Sequence, residues 1–193
     1  MALVILIIIS PALILLFALI SFFIKGSPIF LSERVGHKEK PFLMLKFKTM
    51  NSSLQDQFRI QLEKDCDLAE HYARYGCLKN DPRVIRPWGA ILRKYSIDEL
   101  PQLVNVIIGN MLLVGPRPLP AAQLINLANS DVELRHKVTP GITGLWQVCG
   151  RSNLTLKQMG RLDSFYVKNR TVTLDFFIIL KTIKAVLLSR GAF

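Results

Sequence analysis

Cysteine, histidine and acidic side chains are all scarce in this chain. Cys66, Cys77 and Cys149 are scattered with no Cys-x-x-Cys pair, and His37, His71 and His136 include no nearby pair at metal-ligand spacing. That argues against a zinc site or a disulfide framework and for reduced thiols in a cytoplasmic domain. The histidines read as solvated or core-edge residues. Asp and Glu number 14 against 25 Lys and Arg, a net charge of +11, so the partner is anionic. Nucleic acid, an anionic membrane face and a phosphorylated substrate all meet that demand, and charge alone does not choose among them. Aromatics are few, at 9%. There is no internal repeat, no low-complexity segment and no Gly-x-Gly-x-x-Gly turn of a doubly wound nucleotide-binding sheet.

What is present in excess is apolar sequence, 50% of the 193 residues, enough for one ordinary domain plus a membrane segment. An unbroken apolar run extends from Ala2 to Ile24. As a straight helix it would measure ~35 Å and so could cross a bilayer. No basic residue precedes it and no small-residue cleavage pattern follows it, which argues against a secretory signal peptide. Lys25 and the basic chain beyond it predict that the globular part faces the cytoplasm. Ser10-Pro11 interrupts the run, because proline removes a backbone hydrogen bond and clashes with the preceding turn. Two forms remain: a kinked spanning helix, which physics alone favours, and a helix-break-helix that dips into one leaflet and returns.

Beyond Pro28, Ile29 to Val35 and Phe42 to Phe47 read as strands of a hairpin with a polar turn. The hairpin delivers Lys46 and Lys48 on one face of an extended segment, as phosphate contacts or as a solvated edge. Leu54, Phe58 and Leu62 form a narrow helical stripe in a charged surface helix and connector from Asn51 to about Tyr75. Asn80-Asp81-Pro82-Arg83 is a turn by composition.

The stretch from Arg93 to Leu103 places two adjacent carboxylates, Asp98 and Glu99, behind two cations at a helix start. Ser96 with Glu99 reads as a capping box, although Pro101 suits a frame in which Asp98 is the cap. Capping alone is the ordinary explanation of such a pair. The following helix carries Leu100, Leu103, Val104, Ile107 and Ile108 and stops at Gly109-Asn110. A strand-like Met111 to Val114 then enters Gly115-Pro116-Arg117-Pro118-Leu119-Pro120, whose prolines would hold the Arg117 guanidinium on a stiff loop suited to bidentate capture of phosphate. Near the C-terminus Phe176, Ile179, Leu180, Ile183, Val186 and Leu187 form one helical stripe, for a domain core or a lipid interface. The core is the ordinary expectation for such a stripe.

Ser96-Ile97-Asp98-Glu99-Leu100-Pro101-Gln102-Leu103-Val104-Asn105-Val106, Leu113-Val114-Gly115-Pro116-Arg117-Pro118 and Pro140-Gly141-Ile142-Thr143-Gly144-Leu145-Trp146-Gln147-Val148-Cys149-Gly150-Arg151 closely resemble the bacterial sugar transferases known as monotopic phosphoglycosyl transferases. Lys46-Phe47-Lys48-Thr49-Met50 and Asn80-Asp81-Pro82-Arg83 add to a likeness that covers nearly the whole chain in order.

The resemblance implies transfer of a sugar 1-phosphate from a UDP-sugar to a membrane-embedded polyprenol phosphate such as undecaprenyl phosphate, with UMP released and Mg2+ required, as the opening step of exopolysaccharide, capsule or O-antigen synthesis. It implies Asp98 as nucleophile with Glu99 beside it, and Lys46, Arg93, Arg117 and Arg151 as phosphate or nucleotide contacts. Asp98 and Asp163 are the implied metal ligands. It also turns the Ser10-Pro11 break toward the re-entrant form, on the cytoplasmic face of the bacterial inner membrane.

The fold class expected is α+β, mostly helical, without a Rossmann domain. Residues 1–25 would be a membrane-embedded helix broken at Ser10-Pro11, and 26–193 a small cytoplasmic catalytic domain with a short hairpin and amphipathic interfacial helices. Membrane lipids are expected partners, nucleic acid is not, and a homo-oligomer is left open. The Trp146 segment and the ending Leu188 to Phe193 look most like the branch that transfers galactose or glucose 1-phosphate. Four departures stand out: Asn110 for an acid, Leu112 for Ser, Ile85 for Thr and Lys48 for Arg. The basic residues and Asp usual ahead of the apolar run are absent, which suggests a late start or the catalytic part of a longer protein. Two other classes meet some of the same observations: a membrane-anchored, non-catalytic basic module binding anionic lipid, and a hydrolase of nucleotide diphosphate sugars.

Overall fold

The computed structural model describes residues 2–23 and 27–187, with the backbone alone for 2–9, 12, 13 and 23. Lys25 and the ending Leu188 to Phe193, on which orientation and sugar branch were read, lie outside the described residues. Helix α1 (Ala2–Phe23) carries Pro11 inside it. Among the described residues no helix is long and apolar enough to cross a membrane.

The expected hairpin forms from β1 (Ile29–Val35) and β2 (Pro41–Phe47), paired antiparallel with Phe30 opposite Lys46 and Arg34 opposite Phe42. Side chains alternate across a strand, so Phe30, Ser32, Arg34, Met44 and Lys46 share one face. The surface connector is two helices, α2 (Gln55–Lys64) and α3 (Cys66–Tyr75), parted at Asp65. Asp65 leaves the helical conformation and its carboxylate accepts from the Leu68 amide at 2.9 Å, starting the second helix as a cap.

Helix α4 (Trp88–Lys94) leads through a single 3-10 turn, Ile97–Glu99, into α5 (Gln102–Ile107). Gly109, at φ +86°, turns the chain away from α5 as its sequence position predicts. A second sheet follows, in which β3 (Leu112–Val114) pairs in parallel with a strand, Gly141–Thr143, that arrives after α6 (Ala121–Leu124) and α7 (Asn129–His136) and is named β4. The glycines at 141 and 144 serve close approach of backbone to backbone. A Cβ on Gly141 would stand 2.1 Å from the Gly115 nitrogen, so only bare backbone fits there. Then come α8 (Leu145–Cys149), α9 (Leu156–Lys168) and α10 (Val172–Leu187). The fold is mostly helical with two small two-stranded sheets and no Rossmann domain.

Three apolar clusters hold these elements together. Leu119, Leu127, Trp146, Leu156 and Met159 form one, and Val114, Leu145, Tyr166 and Ile178 another. The third joins Ile20 and Leu16 of α1 to Phe47, Leu92 and Ile97. Phe47 adjoins Lys46 and Ile97 adjoins Asp98, so the apolar helix packs against the two segments that carry the expected chemistry. The α10 stripe corrects the core expectation: Phe176, Leu180, Ile183 and Leu187 are 52–74% exposed, while Ile178 faces the core at 0%. Trp88, Ile91, Val104, Ile107 and Ile108 of the α4–α5 region are also exposed.

Candidate active site

Six of the expected site residues meet in one cavity. Lys46, Arg93, Asp98, Glu99, Arg117 and Arg151 all line a space of about 180 Å3, together with Ser96, Trp146, Gln147 and Ser152. Asp98 and Glu99 share one turn, and the four cations arrive from other parts of the fold. Lys46 is the penultimate residue of β2, and the β2 backbone is fixed to α5 by Asn105, whose side-chain amide donates to the Leu43 carbonyl at 2.8 Å and accepts from the Leu45 amide at 3.0 Å. Asn105 is wholly buried, so it substitutes for a third strand at this edge. Arg93 lies in the last turn of α4 and reaches the Met50 sulfur at 3.4 Å.

The carboxylates sit in the Ile97–Glu99 turn, and the capping box does not form. Ser96 adopts a left-handed conformation, φ +55°, and its side chain caps nothing. The Glu99 carboxylate turns instead toward the cations. Its Oε1 accepts from Lys46 Nζ at 3.1 Å and from Arg117 Nη2, and its Oε2 accepts from Arg117 Nη1 at 2.9 Å. This fork-to-fork pairing fixes Arg117 in orientation as well as position. Pro101 immediately precedes α5, where a missing amide costs no helical bond.

The Arg117 loop is stiff for reasons beyond its prolines. Gly115 donates its amide to the Thr143 carbonyl at 2.9 Å, and the Pro116 carbonyl accepts from Gly141 at 3.0 Å. Arg135, buried in α7, donates from Nη2 to the Arg117 carbonyl. The same nitrogen lies 3.3 Å from Asp163 Oδ2. Asp163, implied by resemblance as a site or metal acid, is set in the wall behind the loop and does not line the cavity. No group of three His, Cys, Asp or Glu that could hold a metal ion exists among the described residues.

Environment drives the neighbouring carboxylates apart. Burial pushes Asp98 up to about 6, with the Glu99 charge adding and Lys46 opposing. Burial acts on Glu99 too, but Arg117 and Lys46 outweigh it and hold that group far below the usual range. Glu99 is thus a permanent anion spent on two cations, while the Asp98 carboxylate takes no hydrogen bond among the described residues. It is available to a reacting atom.

Two larger spaces adjoin the cavity. A cleft of about 540 Å3 shares Lys46, Arg93, Asp98 and Arg117 with it and adds Arg34, Lys48, Tyr72, Tyr75, Asn51 and Gln55. On the other flank a groove of about 510 Å3 shares Ser96, Glu99, Gln147 and Arg151. Otherwise the groove is mostly apolar, walled by Ile97, Leu100, Leu103, Ile179, Ile183 and Val186.

The chain matches the sequence profile of the family described as bacterial sugar transferase over residues 1–189. It belongs to the bacterial sugar transferase family. The exopolysaccharide production protein ExoY of Rhizobium meliloti is 41% identical over 188 residues, covering 95% of this chain and 80% of that protein. The UDP-galactose-lipid carrier transferase of Erwinia amylovora is 42% identical over 183 residues, which are 95% of this chain and 38% of that protein. The undecaprenyl-phosphate galactose phosphotransferase of Salmonella typhimurium is 40% identical over 190 residues, 98% of this chain and 39% of its own length. As a sugar transferase the chain is an enzyme.

Two residues of this region escaped the sequence reading. Arg34 lines the large cleft, and the hairpin register places it on the Lys46 face, so counting alternation from the turn would have found it. Arg135 had no sequence signal, since only the packing of α7 brings it beneath Arg117.

Proposed function

We propose that this sugar transferase moves a sugar 1-phosphate from a UDP-sugar to undecaprenyl phosphate through an aspartyl-phosphosugar intermediate, releasing UMP. One observation carries the reading: a single carboxylate pair lies between a polar, cationic cleft and an apolar groove. A water-soluble nucleotide sugar and an isoprenoid lipid need such different surfaces while sharing one reacting centre. The names borne by the Erwinia and Salmonella relatives point to the same two substrates.

In this mechanism an Asp98 oxygen attacks the phosphorus next to the sugar. The bond from that phosphorus to the bridging oxygen breaks, and the bridging oxygen leaves on UMP. An oxygen of the lipid phosphate then attacks the same phosphorus and returns the carboxylate to Asp98. Splitting the transfer lets each substrate use the site in turn. Arg117, Lys46, Arg93 and Arg151 offset charge on phosphates that would otherwise repel the Asp98 anion. The free Asp98 carboxylate suits Mg2+, an ion commonly held by one or two carboxylates with substrate phosphates and water, and there it would supply Lewis-acid neutralisation of the diphosphate. Asp163, committed to Arg135, has no part in holding it.

Membrane placement follows the same reading. The exposed apolar residues of α1, α4, α5 and α10 form surfaces suited to a lipid interface, with α1 dipping into one leaflet and the domain on the cytoplasmic side. The test is UMP release from a panel of UDP-sugars with Mg2+, with and without undecaprenyl phosphate. Lipid-dependent release that Asp98→Asn abolishes is expected, and the active donor names the sugar. Continued release without lipid would identify a hydrolase, and no release from any donor by folded protein would remove the reading.

A further inference from the structure

Among the described residues, Arg34 is the cation of the large cleft that buries a guanidinium nitrogen with no protein partner. Lys46 and Arg117 are taken by Glu99, and Arg83 is taken by Asp81, which lies 2.6 Å from its Nη2. Arg34 has no hydrogen bond or ion pair among the described residues, and its Nε is fully buried and unsatisfied. A buried guanidinium nitrogen without an acceptor is costly, so a fold that keeps one at a substrate cleft holds it for a ligand that supplies the acceptor. Burial and repulsion from Arg117 lower Arg34 to about 10, which still leaves it charged at neutral pH.

Its location selects the ligand. Arg34 lines the large cleft but not the small cavity that holds Glu99 and Arg151. Asp98 lies in both. An anion reaching Arg34 from Asp98 therefore extends away from the apolar groove, toward Tyr75, Asn51 and Gln55, whose ring and amides can meet a nucleobase. We infer that Arg34 binds the nucleoside-side phosphate of the donor, the phosphate that departs on UMP. This rests on the donor reading given above. When the bond to the bridging oxygen breaks, charge accumulates on that departing phosphate, and Arg34 is placed to share it. Arg151, on the lipid side, is not.

The experiment measures equilibrium binding of UMP and of uridine to the wild-type chain and to Arg34→Gln and Arg34→Lys, each checked for an unchanged melting curve. Loss of a charged hydrogen bond predicts UMP binding weaker by about 10- to 100-fold in Arg34→Gln, partial recovery in Arg34→Lys, and uridine binding unchanged. In turnover, Arg34→Gln lowers kcat as well as raising KM for the donor. Unchanged UMP affinity in Arg34→Gln, or equal weakening of uridine and UMP, overturns the inference. If the wild type binds neither compound, the UDP-sugar reading is what has failed, and inorganic pyrophosphate becomes the probe. Weaker pyrophosphate binding in Arg34→Gln would then keep Arg34 as the anion receptor of the cleft, and equal binding would end that role.

Discussion

Glu99 and Asp163 each face an arginine, and the fold treats them in opposite ways. Glu99 meets Arg117 through a two-pronged fork and adds Lys46, and it is held far below the ordinary carboxylate range. Asp163 meets Arg135 through one oxygen at 3.3 Å while its Oδ1 finds no partner, and burial pushes it up to about 7. Ion pairing in a protein interior is thus settled by the number and geometry of donors set against desolvation, and proximity to an arginine is not enough. The Glu99 cluster is a fixed charge arrangement lining the cavity. The Asp163 pair is packing behind the Arg117 loop, and its oxygens are not offered to a ligand.

The hardest test of that contrast is Asp98→Asn, which removes the proposed nucleophile beside Glu99. Turnover should fall by about 10^4-fold, as for other covalent-catalysis residues, while the protein stays folded. Because the fold raises Asp98 from an ordinary ~3.9 to about 6, ionising it at neutral pH opposes folding, and the variant should melt a few degrees higher. A lower melting temperature would mean that the Asp98 charge is stabilised by contacts absent from this structure.

Glu99→Gln keeps the shape of the fork but strips its charge, leaving Arg117 and Lys46 buried without a counter-ion. Lipid-dependent release should drop by about 10^2-fold and stability by roughly 3 kcal/mol in urea unfolding, the scale for breaking a buried pair. Next is the pH profile. With Asp98 ionised as the attacking group, activity should fall as pH drops through about 6, approaching tenfold per unit below it. Glu99 stays ionised across that range and contributes no inflection.

Asp163→Asn should have the smallest effect on turnover, within about tenfold, and should leave the Mg2+ concentration for half-maximal activity unchanged. A shifted Mg2+ requirement would return Asp163 to the reaction centre. Its signature lies in stability against pH. A folded value near 7, above an unfolded ~3.9, means that its protonation favours the fold, fully so below about 4, with that contribution lost as pH rises to 7. The variant should lose that part of the pH dependence, measured by urea unfolding at pH 5 and pH 8.

Much of this was legible along the chain. Alternation over Ile29 to Phe47 predicts the hairpin, Gly109 ends α5, and Pro116 and Pro118 mark a stiff Arg117 loop, because each is a local rule of backbone sterics acting within a few residues. The cations and carboxylates of the cavity were also readable, since long motifs in order carry that information. Local reasoning failed where a local option lost to a distant partner. Ser96 and Glu99 have the letters of a capping box, yet Glu99 gains more from Lys46 and Arg117, far away in sequence, than from its own turn.

Sequence by itself thus determined the apolar helix, the hairpin, the family and six residues of one cavity. Tertiary structure alone decided that Asp163 stands behind Arg117, that α10 shows its apolar stripe outward, and that Arg34 faces the large cleft without a partner. The reason is physical: backbone propensity is short-ranged, whereas desolvation and charge pairing depend on which segments the fold brings together.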